Sequence, residues 1–213
     1  MHHYTIGIED HYAWANLVSV TTSGGDVVVL DSRRVELLEA NLPVSPYHHD
    51  TLRLPSADAE RLVHDVKTSA NHRAESALAS VVADLAPASC RGIAIRIPPL
   101  AELPATVAEV HANAWITNRA DGMIYHQAIT DAATRLGLTV FHFDKNDVLE
   151  LAALACGKAV HDLETDLRDL RRTVGRPWRR GQIVACAGAI VAQAPHSPHV
   201  PAAQGTGGAN STI

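Results

Sequence analysis

The chain has 213 residues, 46% hydrophobic and 19% charged, with a formal net charge of −5, which suits one globular domain and argues against a protein that coats nucleic acid. Aromatic residues make up only 4%, so we expect an aliphatic core of helices packed on a sheet. The three cysteines lack C-x-x-C spacing, which favours a reducing compartment over a disulfide framework. We see no cationic and apolar leader, and no apolar run reaches the roughly 18 residues of a membrane span. We therefore expect a cytoplasmic protein without a membrane segment.

The N-terminal segment predicts three strands, at about 4–9, 13–21 and 27–37. Between the second and third lies Thr22-Ser23-Gly24-Gly25-Asp26, whose glycines allow the positive φ values of a hairpin turn. An antiparallel meander follows from this spacing. The acidic pair Glu9-Asp10 lies at the end of the first strand.

Helices and strands alternate after an irregular stretch at 44–55. Ser56 is predicted to cap a helix that ends near Pro87, and the continuous apolar run at 92–97 predicts a strand covered on both faces. The remaining predicted elements are a helix over about 105–136 that Gly122 divides or bends, a strand over 138–143, and helices over 144–156, 158–174 and 181–193. We expect one domain over 1–193 and a disordered tail over 194–213, which is rich in Pro, Gly, Ser and Ala.

This order of elements resembles the ribonuclease H-like superfamily, and within it Holliday junction resolvases of the RuvC type. The local matches are Ile6-Gly7-Ile8-Glu9, Arg135-Leu136-Gly137-Leu138-Thr139-Val140, Phe143-Asp144-Lys145-Asn146-Asp147-Val148 and Trp178-Arg179-Arg180-Gly181-Gln182-Ile183-Val184-Ala185. The resemblance implies an α/β fold with a mixed five-stranded sheet, in which a three-strand antiparallel meander is joined by two parallel strands and flanked by helices. It also implies DNA or RNA as a partner and pairing of two copies as a homodimer.

Nucleases of this family hold two divalent ions with about four carboxylates from separate strands and helices. Glu9 stands at the first-strand position, but Arg96 stands where the fourth strand needs a carboxylate, and the last helix offers Arg179 and Arg180. A guanidinium has no acceptor atom and cannot ligate a cation. We therefore expect a substituted metal site without a resident ion or other cofactor, in which Glu9 pairs with Arg96 and with one of the two other arginines. The alternative is that Glu9 and Arg96 face opposite sides of the sheet.

A basic segment near the C-terminus is the second candidate site. Its arginines either form a solvated helix face, paired with acids three or four residues away, or bind phosphate, with Trp178 as a stacking residue. The members of the candidate nucleic-acid-binding set are Arg168, Arg171, Arg172, Arg176, Trp178, Arg179 and Arg180.

Three functions remain open. The preferred interpretation is a catalytically degenerate protein that binds nucleic acid or regulates a process connected with it. The runner-up is an active nuclease that uses Mg²⁺ or Mn²⁺ with displaced ligands, for which the available carboxylates are Glu9, Asp10, Asp144 and Asp147. The third is a structural or interaction protein without nucleic-acid binding.

His48-His49-Asp50 is the densest histidine group, and we interpret it as a polar loop rather than a metal site, because adjacent histidines on an extended chain point apart.

Overall fold

A single mixed sheet organises the chain, for which the computed structural model describes residues 3–175 and 177–194. Its strands are β1 (His3–Asp10), β2 (Trp14–Ser23), β3 (Asp26–Glu36), β4 (Ser89–Arg96) and β5 (Thr139–Phe143). They lie in the order β3-β2-β1-β4-β5. β1, β2 and β3 pair antiparallel, whereas β4 pairs parallel with both β1 and β5. The predicted meander with two added parallel strands is confirmed.

The parallel pairing decides where the candidate site lies. β1, β4 and β5 run in the same direction, so their carboxyl ends meet at one edge of the sheet. The register Ile8↔Ile95 and Arg96↔Phe143 brings the end of β1 beside the end of β4. This is how Asp10 and Arg96, far apart in sequence, become neighbours.

Helices cover both faces of the sheet. They are α1 (Ser56–Asp84), α2 (Val107–His111), α3 (Ala114–Arg135), α4 (Val148–Cys156), α5 (Val160–Asp169), α6 (Arg171–Val174) and α7 (Arg180–Gln193). α1 and α3 share one core with Ile6 and Ile8 of β1, whereas α4, α5 and α7 form a second core with Val18 and Ala94 on the other face. Both faces of the central strands are therefore buried, which explains their continuous apolar runs.

The close approach of α7 to β1 depends on a glycine. A Cβ at Gly7 would collide with the backbone carbonyl of Ala185, so only glycine lets the helix lie directly on the strand. The same approach carries the first turn of α7 to the end of β1, where Gly181 lies against Glu9.

The helix predicted over 105–136 is divided, but not at Gly122 as predicted. The break falls between α2 and α3, where the Asn113 side chain accepts hydrogen bonds from the backbone N–H groups of Trp115 and Ile116. Asparagine caps a helix well because its side-chain oxygen satisfies these otherwise unpaired donors. Gly122 lies inside the uninterrupted α3, where its lack of a side chain leaves room for the ring of Tyr12.

One predicted cap and two other helix boundaries differ from the prediction. α1 begins at Ser56 as predicted, but Ser56 does not cap it, because Pro55 is at the capping position and no side chain caps the helix. α4 begins only at Val148, after a turn in which Asp144 accepts the backbone N–H of Asn146. The predicted helix over 158–174 is two helices, α5 and α6, that meet at Leu170.

The stretch predicted to be irregular, 44–55, contains a π-helical turn at Pro46–Asp50. Asp121 on α3 is buried and accepts the backbone N–H groups of Tyr47 and His48, at 2.9 and 3.2 Å. Burial raises the pKa of Asp121, although these two hydrogen bonds act in the opposite direction. The predicted tail over 194–213 lies outside the described residues, apart from Ala194.

Candidate nucleic-acid interface and substituted metal site

The two acids of the pair at the end of β1 face opposite sides of the sheet. Glu9 lies against Gly181 on the α7 side, whereas Asp10 contacts His126 on the α3 side. Successive side chains of a strand alternate between its faces. The two carboxylates therefore do not converge on one point.

Asp10 is the buried acid of this pair, with a side chain only 2% exposed. Arg96 donates two hydrogen bonds to it, from Nε to Oδ1 at 2.7 Å and from Nη2 to Oδ2 at 2.9 Å, and Nδ1 of His126 lies 3.1 Å from Oδ2. Burial alone would raise the pKa of Asp10, but the hydrogen bonds from His126 and Arg96 outweigh it and hold this pKa below its ordinary value. Asp10 is thus an ionised group whose charge is balanced by a guanidinium.

His126 is a member of this site that the sequence did not reveal. It is buried in α3, and its Nε2 atom has no hydrogen-bond partner among the described residues. Its ring lies 6.1 Å from that of His142 on β5. The only local signal is a polar residue in an otherwise apolar part of a helix, and that signal does not tell which strand residue it contacts.

Glu9 has a different environment. Asn16 on β2 donates a hydrogen bond of 2.7 Å to its Oε2 atom, and His11 Nε2 lies 3.2 Å from Oε1 without hydrogen-bond geometry. Gly181, the second residue of α7, lies so close that a Cβ there would overlap the carboxylate. The first turn of a helix carries a partial positive charge and favours an anion. Glu9 is therefore stabilised by an amide and a helix terminus.

The predicted pairing of Glu9 with Arg96 is wrong, because Arg96 pairs with Asp10. Glu9 and Asp10 lie on opposite faces of the sheet, and Asp10, the more deeply buried acid, gains more from a charged partner. Arg179 and Arg180 lie near Glu9 without an ion pair to it. Together with Asn16 and Arg34, these three residues line a depression of about 370 Å³, the Glu9 groove.

The basic segment divides into paired and unpaired arginines. Arg168 pairs with Glu164 at 3.0 Å and Arg172 with Asp169 at 2.9 Å, as predicted for a solvated helix face. Within 3–175 and 177–194, no ion pair is formed by Arg171, Arg179 or Arg180. Arg176 falls outside the described residues.

The unpaired arginines share one depression of about 350 Å³, the arginine groove. Its lining residues include Arg168, Arg171, Trp178, Arg179 and Arg180. Arg179 and Arg180 also line the Glu9 groove, so the two depressions are adjacent and meet at the start of α7.

Trp178 is held in place by the fold. Its indole N–H donates to the backbone carbonyl of Leu167 at 2.6 Å, and its ring is partly buried against the core under α7. The predicted stacking role for Trp178 stays a prediction, with part of the ring already used for packing.

The other predicted carboxylates lie apart from Glu9. Asp144 is exposed and lines a shallow depression of about 190 Å³ with Arg96 and Lys145, whereas Asp147 is exposed at the start of α4. In the described ranges, no group of three or more His, Cys, Asp or Glu residues could hold a metal ion.

His48 and His49, the histidine pair interpreted as part of a polar loop, lie in the π-helical turn, with their rings 5.1 Å apart, edge to face.

The meander, the two parallel strands and the helices on both faces define a ribonuclease H-like fold, which confirms the predicted fold class. Two solved structures are similar to the chain. The first is Thermus thermophilus RuvC, with 14% identity, a TM-score of 0.48 and coverage of 88% of this chain and 91% of that one. The second is T. thermophilus RuvC in complex with a Holliday junction substrate, with 14% identity, a TM-score of 0.47 and coverage of 89% of this chain and 91% of that one. No protein-family model matches the sequence, and no curated protein matches it. None of the helices in the described ranges is long and apolar enough to span a bilayer.

Proposed function

We propose that this protein binds nucleic acid through the arginine groove and does not cleave it. The observation that carries the proposal is the unequal pairing of the basic segment. Arg168 and Arg172 have carboxylate partners, whereas Arg171, Arg179 and Arg180 face a common groove without an ion pair in the described part of the chain.

Unpaired guanidinium groups that share a groove suit an anionic ligand. A guanidinium donates two parallel hydrogen bonds to a phosphate, and mutual repulsion between neighbouring arginines is relieved when an anion binds between them. The groove also lies at the first turn of α7, where the helix favours negative charge. These features support binding of phosphate groups.

The extent of the basic surface favours a chain of phosphates over a single one. Arg179 and Arg180 line both the arginine groove and the Glu9 groove, and Arg34, which pairs with Glu36, also lines the latter.

Two carboxylates oppose a phosphate in this region. Glu164 lines the arginine groove but pairs with Arg168, and the contact of Glu9 with Asn16 and the start of α7 reduces its repulsion of a phosphate.

The geometry of the two acids supports binding without hydrolysis. Two-ion cleavage requires carboxylates that converge on the scissile phosphate. Glu9 and Asp10 face opposite sides of the sheet, and both oxygens of Asp10 accept hydrogen bonds from Arg96. A divalent ion at Asp10 would have to displace a guanidinium that already balances its charge.

The test measures the affinity of labelled single-stranded, duplex and branched DNA, and of RNA, over a series of salt concentrations. The triple variant Arg171→Ala, Arg179→Ala, Arg180→Ala is expected to lower the salt slope by about 2 to 3, since each phosphate contact contributes roughly 0.9. Arg135→Ala removes one arginine, from an exposed pair with Glu75 on another helix, and is the matched control for the single variant Arg180→Ala, which removes one arginine from the groove. Binding that is independent of salt, or equally weakened by Arg135→Ala, would overturn the proposal.

A second arm tests the absence of cleavage. Each labelled substrate is incubated with Mg²⁺ or Mn²⁺ and the products are separated on a denaturing gel. We expect the substrate to stay intact. Cleavage that disappears in the Glu9→Gln variant would establish the nuclease alternative instead. The predicted homodimer is tested in parallel by light scattering, with and without the nucleic acid.

A further inference from the structure

The turn between β1 and β2 presents an aromatic pocket beside the basic surface. Resting on the proposed function, we infer that this pocket holds an unpaired nucleobase of a single strand whose phosphates lie along the arginine groove. The pocket has a volume of about 400 Å³ and is called the Tyr12 pocket. It is lined by Asp10, His11, Tyr12, Trp14, Arg96 and Gly122.

The turn that carries these side chains is strained and well anchored. Ala13 has a φ of 65°, and no other non-glycine among the described residues has a positive φ. This conformation is costly for an alanine and persists only where the surroundings impose it. The His11 N–H donates to the Trp14 carbonyl at 2.9 Å, and the Leu37 N–H donates to the Ala13 carbonyl at 2.7 Å. The backbone thus fixes the positions of the aromatic side chains before any ligand binds.

Tyr12 is the stacking residue in this arrangement. Its ring packs on α3 at Gly122, where a Cβ would lie 3.0 Å from Cε1, yet the residue remains 46% exposed. Packing on one side therefore holds the ring while leaving aromatic surface open to the pocket. Such an exposed and oriented ring is the platform that single-strand binding proteins use for bases.

Arg96 supplies polar recognition in the same pocket. Its Nε and Nη2 atoms donate to Asp10, but its side chain is still 33% exposed. The remaining guanidinium donors can reach acceptors on the edge of a stacked base. The Asp10–Arg96 pair is neutral overall, so this pocket suits an uncharged base better than a phosphate.

The pocket is continuous with the basic surface. His11 and Trp14 line both the Tyr12 pocket and the Glu9 groove, and their rings stack with centroids 3.8 Å apart. The guanidinium of Arg34 lies 4.1 Å from the Trp14 ring centroid. Arg179 and Arg180 then connect the Glu9 groove to the arginine groove. One strand can thus place a base at Tyr12 and successive phosphates along these arginines.

This arrangement distinguishes single strands from duplexes. A base in a continuous duplex has both faces covered by its neighbours, so it cannot stack on Tyr12 unless it leaves the helix. An unpaired base has a free face at no such cost. The structure therefore favours a single strand, or a single-stranded part of a larger substrate.

The experiment compares the parent with Tyr12→Ala and Tyr12→Phe on an oligothymidylate and on a duplex of equal length. Tyr12→Ala is expected to weaken binding of the single strand about tenfold, as the loss of one stacked base would, and to leave duplex binding unchanged. Tyr12→Phe retains the ring and is expected to bind as the parent does. Circular dichroism melting of each variant verifies that it is folded.

A crosslinking arm does not depend on any variant. A single strand that contains 4-thiothymidine is irradiated on the parent protein, and the modified peptide is expected to contain residues 11–14. Crosslinks confined to other peptides would overturn the inference. Free thymidine monophosphate is expected not to compete with the strand at equal nucleotide concentration, and full competition would assign the pocket to a mononucleotide instead.

The outcomes separate the two proposals. If Tyr12→Ala binds the single strand as the parent does, while the triple arginine variant loses its salt-dependent binding, the nucleobase pocket fails and the proposed function stands. If neither oligonucleotide binds the parent, the nucleobase pocket fails, and the proposed function fails with it if branched DNA and RNA do not bind either. If Tyr12→Ala weakens binding of the single strand and of the duplex equally, the ring does not select unpaired bases, which also overturns the inference.

Discussion

Arg96 at the end of β4 donates hydrogen bonds to both carboxylate oxygens of Asp10 at the end of β1, at 2.7 and 2.9 Å. The partners are 86 residues apart in the chain, and the parallel pairing of β1 with β4 brings them together. Because Asp10 is almost completely buried, the guanidinium provides the positive charge that a buried carboxylate requires.

Arg96→Ala should destabilise the protein strongly. Removal of the guanidinium leaves the buried Asp10 carboxylate with His126 alone, and breaking a buried pair on one side costs about 3 kcal/mol or more. Urea unfolding at neutral pH measures the change. Arg135→Ala, which removes an arginine from the exposed pair with Glu75, should cost less than about 1 kcal/mol.

A double-mutant cycle with Asp10→Asn separates the pair from other effects of the Arg96 change. The loss caused by Arg96→Ala should be much smaller when Asp10 is already Asn, because no buried negative charge is then left without its partner. Additive losses would contradict the assigned pairing.

The depressed pKa of Asp10 predicts a specific loss of stability in acid. A carboxyl group whose pKa is lower in the folded state than its ordinary value of 3.8 stabilises the fold above 3.8. That contribution is lost as the pH falls through the folded-state pKa, because the proton then weakens the pairing with Arg96. The difference in melting temperature between the parent and Asp10→Asn should therefore shrink below pH 3.8 and be largest near neutrality. A constant difference across this range would show that Asp10 keeps an ordinary pKa.

The sequence was sufficient for the sheet and the order of its elements. The glycine-containing hairpin between β2 and β3 and the apolar runs of β4 and β5 are local patterns, and strands follow such patterns closely. The helix boundaries were predicted less accurately where a side chain takes over hydrogen bonds of the backbone. Asn113 ends one helix and begins the next through its side-chain oxygen, whereas Gly122, the expected break, is tolerated because the ring of Tyr12 packs on it.

The chemistry of the site depends on contacts between distant segments, which no local pattern encodes. The alternation of β1 does separate Glu9 from Asp10, but it does not tell which of them Arg96 reaches. His126 lies 116 residues from Asp10, and only the packing of α3 on β1 brings them together. The split of the basic segment into paired and unpaired arginines likewise follows from where α5 ends and α7 begins.

Gly7→Ala should destabilise the protein by about 3 kcal/mol, near the upper end of the cost of overpacking a core. The added Cβ would collide with the backbone carbonyl of Ala185. β1 contributes Ile6 and Ile8 to the first core and α7 belongs to the second, so neither element can move without disturbing packed side chains. Gly24→Ala is the control: Gly24 has a positive φ but open space around it, so only the conformational cost of roughly 1 kcal/mol applies. Unfolding by urea compares the two variants, and equal losses would contradict the close approach of β1 and α7.

Divalent ions should leave the melting temperature of the parent unchanged. A ligand that binds only the folded state raises stability in proportion to its occupancy, and a two-ion site would respond clearly to Mg²⁺ or Mn²⁺. The Arg96→Ala variant should not respond either, because Glu9 and Asp10 still face opposite sides of β1 after the guanidinium is gone. Calorimetric melting with each ion, and with Ca²⁺ for comparison, measures the effect. A rise in the parent that Glu9→Gln removes would mean that Glu9 is a metal ligand and would contradict this prediction, and the cleavage assay would then decide the enzyme interpretation. A rise only in Arg96→Ala would instead mean that Arg96 occupies a site that can still accept an ion.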